Sequence, residues 1–221
     1  MIPVLTIDGP SGVGKGTVAN IMAQELNWNL LDSGAIYRAF ALAASKRNIQ
    51  IDNIDKLLKL ASNLDLRFES DPSNNKLSVY LDNIEVSAEL RTEETAGLAS
   101  KFAMIGPLRK SLLLRQQKFK QPPGLVADGR DMGTVVFKDA PFKVFLTANE
   151  QERAQRRLKQ LQDKGIAGIL SQTLEEVQKR DERDASRKHS PLKPSKDALI
   201  IDTSNLTINE VVAKVMALVK T

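Results

Sequence analysis

The stretch Val4-Leu5-Thr6-Ile7-Asp8-Gly9-Pro10-Ser11-Gly12-Val13-Gly14-Lys15-Gly16-Thr17 decides how the rest of the chain is read. A short apolar strand runs into a glycine loop, and helical spacing follows from near Gly14 to about Leu26. Glycines let the backbone fold around an anion with its N–H groups pointing inward. The helix N-terminus adds about half a unit of positive charge. Lys15 supplies a mobile cation for the β- and γ-phosphates of a nucleotide, and Thr17 can reach the shell of a Mg²⁺ ion.

Two other readings of the loop are weaker. A dinucleotide-binding loop reads G-x-G-x-x-G and is followed by an acid, for which Asp32 stands at a tempting distance. Here the order is G-x-x-G-x-G with a lysine directly after it. A fortuitous turn is the second. Four fixed glycines arise by chance on the order of 10⁻⁵ per start position, before the lysine, the strand and the helix are required. The strict phosphate loop also places Ser or Thr directly after the lysine; in this chain Gly16 intervenes and Thr17 comes one place later.

Outward from the loop, short apolar runs alternate with helical patterns, the signature of an α/β fold with a mostly parallel sheet. Strands are expected at Val4 to Asp8, Asn29 to Leu31, Leu125 to Ala127, Val144 to Leu146 and Ala198 to Ile201. Several end in Asp or Thr, and ligands of open parallel sheets lie beyond the carboxyl ends of strands. One helix should follow Asn149, with Glu152 at capping-box spacing, and another Thr207, with Glu210 placed likewise. Leu64, Leu66 and Phe68, then Leu77, Val79 and Leu81, then Ile84 and Val86 alternate with polar residues. Turns at Asp71 to Asn75 and at Asp82-Asn83 separate them, which predicts three antiparallel strands. The expected organisation is a core of residues 1–63 and 106–221 with a lid at about 150–190, interrupted by a β-rich insert at 64–105.

The chain has 221 residues, 42% hydrophobic and 27% charged, which suits a globular domain rather than a disordered or fibrous one. It has no cysteine, excluding disulfides and thiol chemistry and suggesting a reducing compartment. The N-terminal residues lack the basic start and long apolar run of a signal peptide, and no run approaches a membrane span. A cytoplasmic protein without membrane partners is expected. The net charge of +5 suits a phosphate-bearing partner, whereas 5% aromatics and no basic-aromatic alternation argue against nucleic acid. A guanine-reading N-K-x-D is missing: Asn75-Lys76-Leu77-Ser78 fails at its fourth place.

Three clusters offer the groups an acceptor pocket needs. In Leu31-Asp32-Ser33-Gly34-Ala35-Ile36-Tyr37-Arg38, Ser33 sits on a turn, Arg38 can fork onto a phosphate, and Tyr37 reads as packing. In Ala127-Asp128-Gly129-Arg130-Asp131, Asp128 ends a strand, where a carboxylate can face Mg²⁺ through water. In Arg180-Asp181-Glu182-Arg183-Asp184-Ala185-Ser186-Arg187, Arg180, Asp184 and Arg187 share a helix face at i, i+4 and i+7. Arg153, Arg156 and Arg157 could join that cluster in a lid that closes on anions. Trp28 reads as core, and His189, the only histidine, as surface.

Together these segments resemble the bacterial cytidylate kinases, a family of P-loop nucleoside monophosphate kinases. G-P-S-G-x-G-K-G-T, L-D-S-G-A-I-Y-R, D-G-R-D-M-G-T-V-V-F and R-D-x-x-D-x-x-R occur in order, and the likeness runs from Val4 to the last helix. It implies a three-layer P-loop kinase core with a five-stranded parallel sheet, a small antiparallel insert and an Arg-rich lid. It implies a monomeric enzyme transferring phosphate from ATP to CMP or dCMP with Mg²⁺. Carried across, Gly9, Pro10, Ser11, Gly12, Val13, Gly14, Lys15, Gly16 and Thr17 look like the ATP loop. Ser33, Ser100, Arg109 and Asp131 look like the cytosine-reading set, and Arg38, Arg130 and Arg187 like the clamp on the acceptor phosphate. Arg180 and Asp184 look like sugar contacts. Lys15, Arg130, Arg183 and Arg187 are the expected transition-state stabilisers, and Thr17 and Asp128 the expected metal contacts through water. Ser100 and Arg109 carry no local signal and rest on the resemblance alone. Val13 replaces a smaller residue and should only pad the loop. Another small-molecule kinase, or a nucleotide-dependent binding module, is the alternative.

Overall fold

The structure, a computed structural model, describes residues 2–71, 76–163, 165, 167–187 and 190–220. In chain order its elements are β1 (Val4–Asp8), α1 (Lys15–Leu26), β2 (Asn29–Asp32), α2 (Ser33–Lys46), α3 (Ile54–Ser62), β3 (Leu66–Asp71), β4 (Lys76–Leu81), β5 (Ile84–Glu85), α4 (Glu93–Phe102) and α5 (Gly106–Gln117). Then come β6 (Leu125–Gly129), β7 (Phe142–Thr147), α6 (Glu150–Gln162), α7 (Leu170–Ala185), β8 (Leu199–Asp202) and α8 (Ile208–Val219). A π-turn at Met132–Val136 follows β6. The chain divides into two compact units, residues 1–31 with 119–221, and residues 32–118.

The first unit holds a five-stranded sheet in the order β2-β6-β1-β7-β8. β1 lies between β6 and β7, parallel to both, and β7 pairs parallel with β8. Every residue of β1 is buried, as a central parallel strand covered on both faces requires. Leu5 and Ile7 join Val18, Met22, Val126, Val144, Val211 and Val215 in one core, so α1 and α8 pack against this sheet. Val13 is part of that core at 1% exposure and is packing rather than padding. Trp28 is only half-buried, packed at the edge of the core against Phe142. The Thr207–Glu210 capping box opens α8 as expected, while Asn149 caps α6 by accepting from the Glu152 N–H at 2.8 Å.

In the second unit α2 packs on α3 and α4, and α3 on α5. Phe40 and Phe102 meet edge to face at its centre. Asp32 caps α2 by accepting from the Ala35 N–H at 2.8 Å. The three antiparallel strands expected within 64–105 form the sheet β3-β4-β5. Asp82 and Asn83, both at positive φ (51° and 64°), make its second turn, the conformation a two-residue hairpin loop demands. Residues 72–75 of the first expected turn, and His189, lie outside the described residues.

The chain leaves β1 at Gly9 with φ +148°, where a Cβ would stand 2.2 Å from the Leu146 carbonyl oxygen of β7. That neighbour is backbone and cannot rotate away. Gly9→Ala is therefore expected to lower stability by about 2 kcal/mol or more, read as a drop in the urea midpoint; an unchanged midpoint would show that the strand exit tolerates a side chain.

Candidate active site

The site builds up from the end of β1. The Asp8 carboxylate accepts the N–H groups of Met132 and Gly133, each at 2.8 Å. Burial pushes Asp8 up to about 7 in spite of these two bonds. The pairing ties the last residue of β1, just before the loop, to the turn that begins after Asp131. The loop then enters α1 through Gly14 at φ +90°, a left-handed N-cap that offers no side-chain hydrogen bond. The first N–H groups of α1 therefore have no side-chain cap, which suits an anion at that end.

Lys15 is buried, and its Nζ donates to the Pro10 carbonyl at 2.8 Å. Burial, with Arg130 next, pushes its pKa down to about 8, while Asp128 opposes the shift. Asp128, in β6, places a carboxylate oxygen 3.4 Å from where a side chain on Gly16 would begin. Thr17 is exposed beside it on α1. A carboxylate and a hydroxyl at the start of this helix fit Mg²⁺, which takes few protein oxygens and draws the rest of its shell from phosphates and water.

On the same unit, Asp184 is fully buried and is engaged by two guanidinium groups: Arg130 Nε donates to one of its oxygens and Arg187 to the other. Burial alone would raise Asp184, but Arg130 and Arg187 outweigh it and hold the carboxyl below its ordinary range. Burial works against the Arg130 charge, and Asp184 more than offsets it. Arg180 lies close enough to act electrostatically on both Lys15 and Asp184. The helix ends at Ala185, so Arg187 is past it and not on its face; its guanidinium still reaches back to Asp184. Arg183 Nε donates to the Lys179 carbonyl of its own helix at 3.1 Å. Asp131 is buried, and its carbonyl receives the Val135 N–H at 2.8 Å.

Arg153 of α6 joins the loop to α7. It is buried and donates to the Ala148 carbonyl, to the Ser11 carbonyl of the loop at 3.2 Å, and to Asp181 on α7. Arg156 bonds Thr203, and Arg157 bonds Gln160. In the second unit, Ser33 Oγ donates to the Gln116 side-chain carbonyl at 2.6 Å. Arg38 pairs with Asp32 at 2.9 Å. Arg109 donates to the Ala103 carbonyl and lies 5.6 Å from the Tyr37 ring, which is buried as expected. Ser100 is 5% exposed, and its hydroxyl has no hydrogen-bond partner among the described residues.

Gln116 was not a candidate from sequence, Asp8 was marked only as the end of a strand, and Arg153 was expected in the arginine cluster but not at the loop. A buried glutamine and an acid one place before the glycine loop are visible only as ordinary polar residues. Their partners stand 124, 142 and 83 positions away, for Asp8 with Met132, Arg153 with Ser11, and Gln116 with Ser33.

Comparison with known proteins bears on this arrangement. Residues 5–221 match the family model described as cytidylate kinase. A cytidylate kinase of Aeromonas salmonicida is 52% identical over 98% of this chain and 94% of its own length. One of Shewanella denitrificans is 51% identical over 99% of this chain and 96% of its own. Among solved structures, a gluconokinase of Sinorhizobium meliloti aligns over 99% of this chain and 91% of its own, with 14% identity and a TM-score of 0.47. With a matching family model over nearly its whole length and relatives at half identity, the chain belongs to the cytidylate kinase family.

Proposed function

We infer that the chain transfers the γ-phosphoryl group of ATP to CMP and to dCMP, giving ADP with CDP or dCDP. Family membership carries the reaction class. The observation within the fold that supports it best is the grouping of Lys15, Arg130, Arg180 and Arg187 around Asp184 and Asp128 in one unit, at the glycine loop. Phosphoryl transfer asks the protein for position and positive charge rather than covalent chemistry. An oxygen of the acceptor phosphate attacks the γ-phosphorus while the bond to the β,γ-bridging oxygen breaks. That phosphate is already a competent nucleophile, so no general base is assigned.

In this reading Gly9 to Thr17 hold the triphosphate through backbone N–H groups, and Lys15 leaves the Pro10 carbonyl to meet it. Arg38, Arg130 and Arg187 hold the acceptor phosphate. Lys15, Arg130, Arg187 and, from the lid, Arg183 balance charge as it develops, while Arg180 and Asp184 meet the sugar. Ser33, Ser100, Arg109 and Asp131 read the base: a carboxylate accepts from the cytosine amino group, and an arginine donates to N3 or O2. Thr17 and Asp128 are the residues that would hold Mg²⁺, through water. When bound, that ion neutralises charge on the β- and γ-phosphates. We further propose that 64–105 is an inserted acceptor-side subdomain, that 150–190 acts as a lid, and that the protein works as a cytoplasmic monomer without nucleic acid.

The test is a coupled assay with ATP and Mg²⁺ across CMP, dCMP, UMP and AMP. CMP and dCMP are expected to be good acceptors and UMP and AMP poor ones; a preference for AMP overturns the base reading. Asp131→Ala should raise KM for CMP at least tenfold and change KM for ATP little, and equal losses on both sides would count against its role. Lys15→Met should cut kcat by more than a hundredfold, whereas a near-normal rate would remove Lys15 from the mechanism.

The same variant has a stability signature. The folded pKa of Lys15, about 8, lies below the unfolded 10.5, so between these values the unfolded chain binds more protons. The cost of burying the charge is therefore complete below pH 8 and fades as pH rises to 10.5. Ligand-free Lys15→Met is expected to be more stable than the parent by ~1–3 kcal/mol at pH 7, with the gap narrowing above pH 8 in urea titrations. A gap that widens with pH would contradict this account.

A further inference from the structure

Gln116 stands in the last turn of α5 at 2% exposure, an uncommon burial for a glutamine. Its side-chain orientation is fixed by what surrounds it. The Leu112 carbonyl, 3.4 Å from Nε2, can only accept, so the amide nitrogen must face it. Oε1 is thereby turned to Ser33, whose Oγ lies 2.6 Å away and is itself buried. A serine hydroxyl has one proton and two lone pairs. With the proton committed to Gln116, Ser33 retains only lone pairs.

We propose that Gln116 is a specificity-determining residue, which takes the Ser33 hydroxyl proton and leaves Ser33 able only to accept, so that a base carrying an amino group is selected over one carrying a carbonyl at the same place. This deepens the proposed function and rests on the reading of Ser33 as a base contact. A free serine could not make the choice. Its hydroxyl would rotate to donate to the O4 of uracil as readily as it accepts from the N4 of cytosine. A serine locked as an acceptor sets lone pair against lone pair with uracil, and a buried polar group left unpaired is a strong basis for rejection. Gln116 touches no substrate in this account and acts through Ser33 as a positioning residue. The buried, unpartnered Ser100 hydroxyl on α4 of the same unit independently marks a place where a polar ligand group is wanted.

The experiment compares kcat/KM for CMP with that for UMP in the full-length chain with ATP and Mg²⁺. Gln116→Met keeps the volume and removes the acceptor. The CMP-to-UMP ratio is expected to fall roughly tenfold, mainly through improved KM for UMP, with kcat for CMP little changed. Gln116→Glu keeps an acceptor facing Ser33 and is expected to hold the ratio near that of the parent; it carries the test if Gln116→Met does not fold. Ser33→Ala should itself lower the ratio and make Gln116→Met silent when the two are combined. Equal losses for both nucleotides in Gln116→Met, a fall of the same size in Gln116→Glu, or an undiminished Gln116→Met effect on the Ser33→Ala background would each overturn the proposal. If Ser33→Ala leaves the ratio untouched, the base reading of Ser33 fails and this inference with it. If Ser33→Ala lowers the ratio and Gln116→Met does not, Gln116 alone is wrong.

Discussion

A carboxylate with no exposure, gripped on both oxygens by Arg130 and Arg187, is what allows so much positive charge to be stored beside the glycine loop. Arginines buried without a counter-charge would cost several kcal/mol each. Asp184 lowers that cost and also fixes the two guanidinium groups relative to each other, before any phosphate arrives. For Lys15 the balance is different: Asp128 and Asp184 favour its charge but do not outweigh what opposes it. Burial and Arg130 work against its charge, and it settles on the Pro10 carbonyl. The first unit thus gathers cationic side chains at the glycine loop, with Asp184 offsetting part of their charge.

Backbone constraints carry the same arrangement into the fold. β1 is buried along its whole length, and its last carboxylate reaches across to the Met132 and Gly133 N–H groups. The loop and the turn after Asp131 are therefore fixed to one strand end. Arg153 adds a second tie, joining the Ser11 carbonyl to Asp181 on the helix that carries Arg180 and Asp184. α7 is in this way tied to the loop through one buried side chain.

Features that repeat locally could be read from the chain. The five strands, the helix after the glycine loop and the Thr207–Glu210 cap follow from spacing and chemistry within a dozen residues, and the structure has them. The three-stranded antiparallel sheet announced itself through alternation. Local spacing misled for Arg187, because the helix stops at Ala185 and the contact to Asp184 is made from beyond its end. It also hid the pairing of Ser33 with Gln116 and of Asp8 with the turn after β6, since a polar residue with a distant partner leaves no period in the sequence. Ser100 and Arg109 stand on α4 and α5 with nothing around them in the chain to mark them, and only likeness to a family singled them out.

The placement of the chromophores has its own consequence. The chain has one tryptophan and two tyrosines. Trp28 lies in the first unit, half-buried against Phe142, while Tyr37 and Tyr80 both lie in the second. Indole emission and phenol near-ultraviolet dichroism therefore report on different halves of the molecule without any label. Whether the halves melt together or in sequence can be read from one unmodified sample by following the two signals side by side.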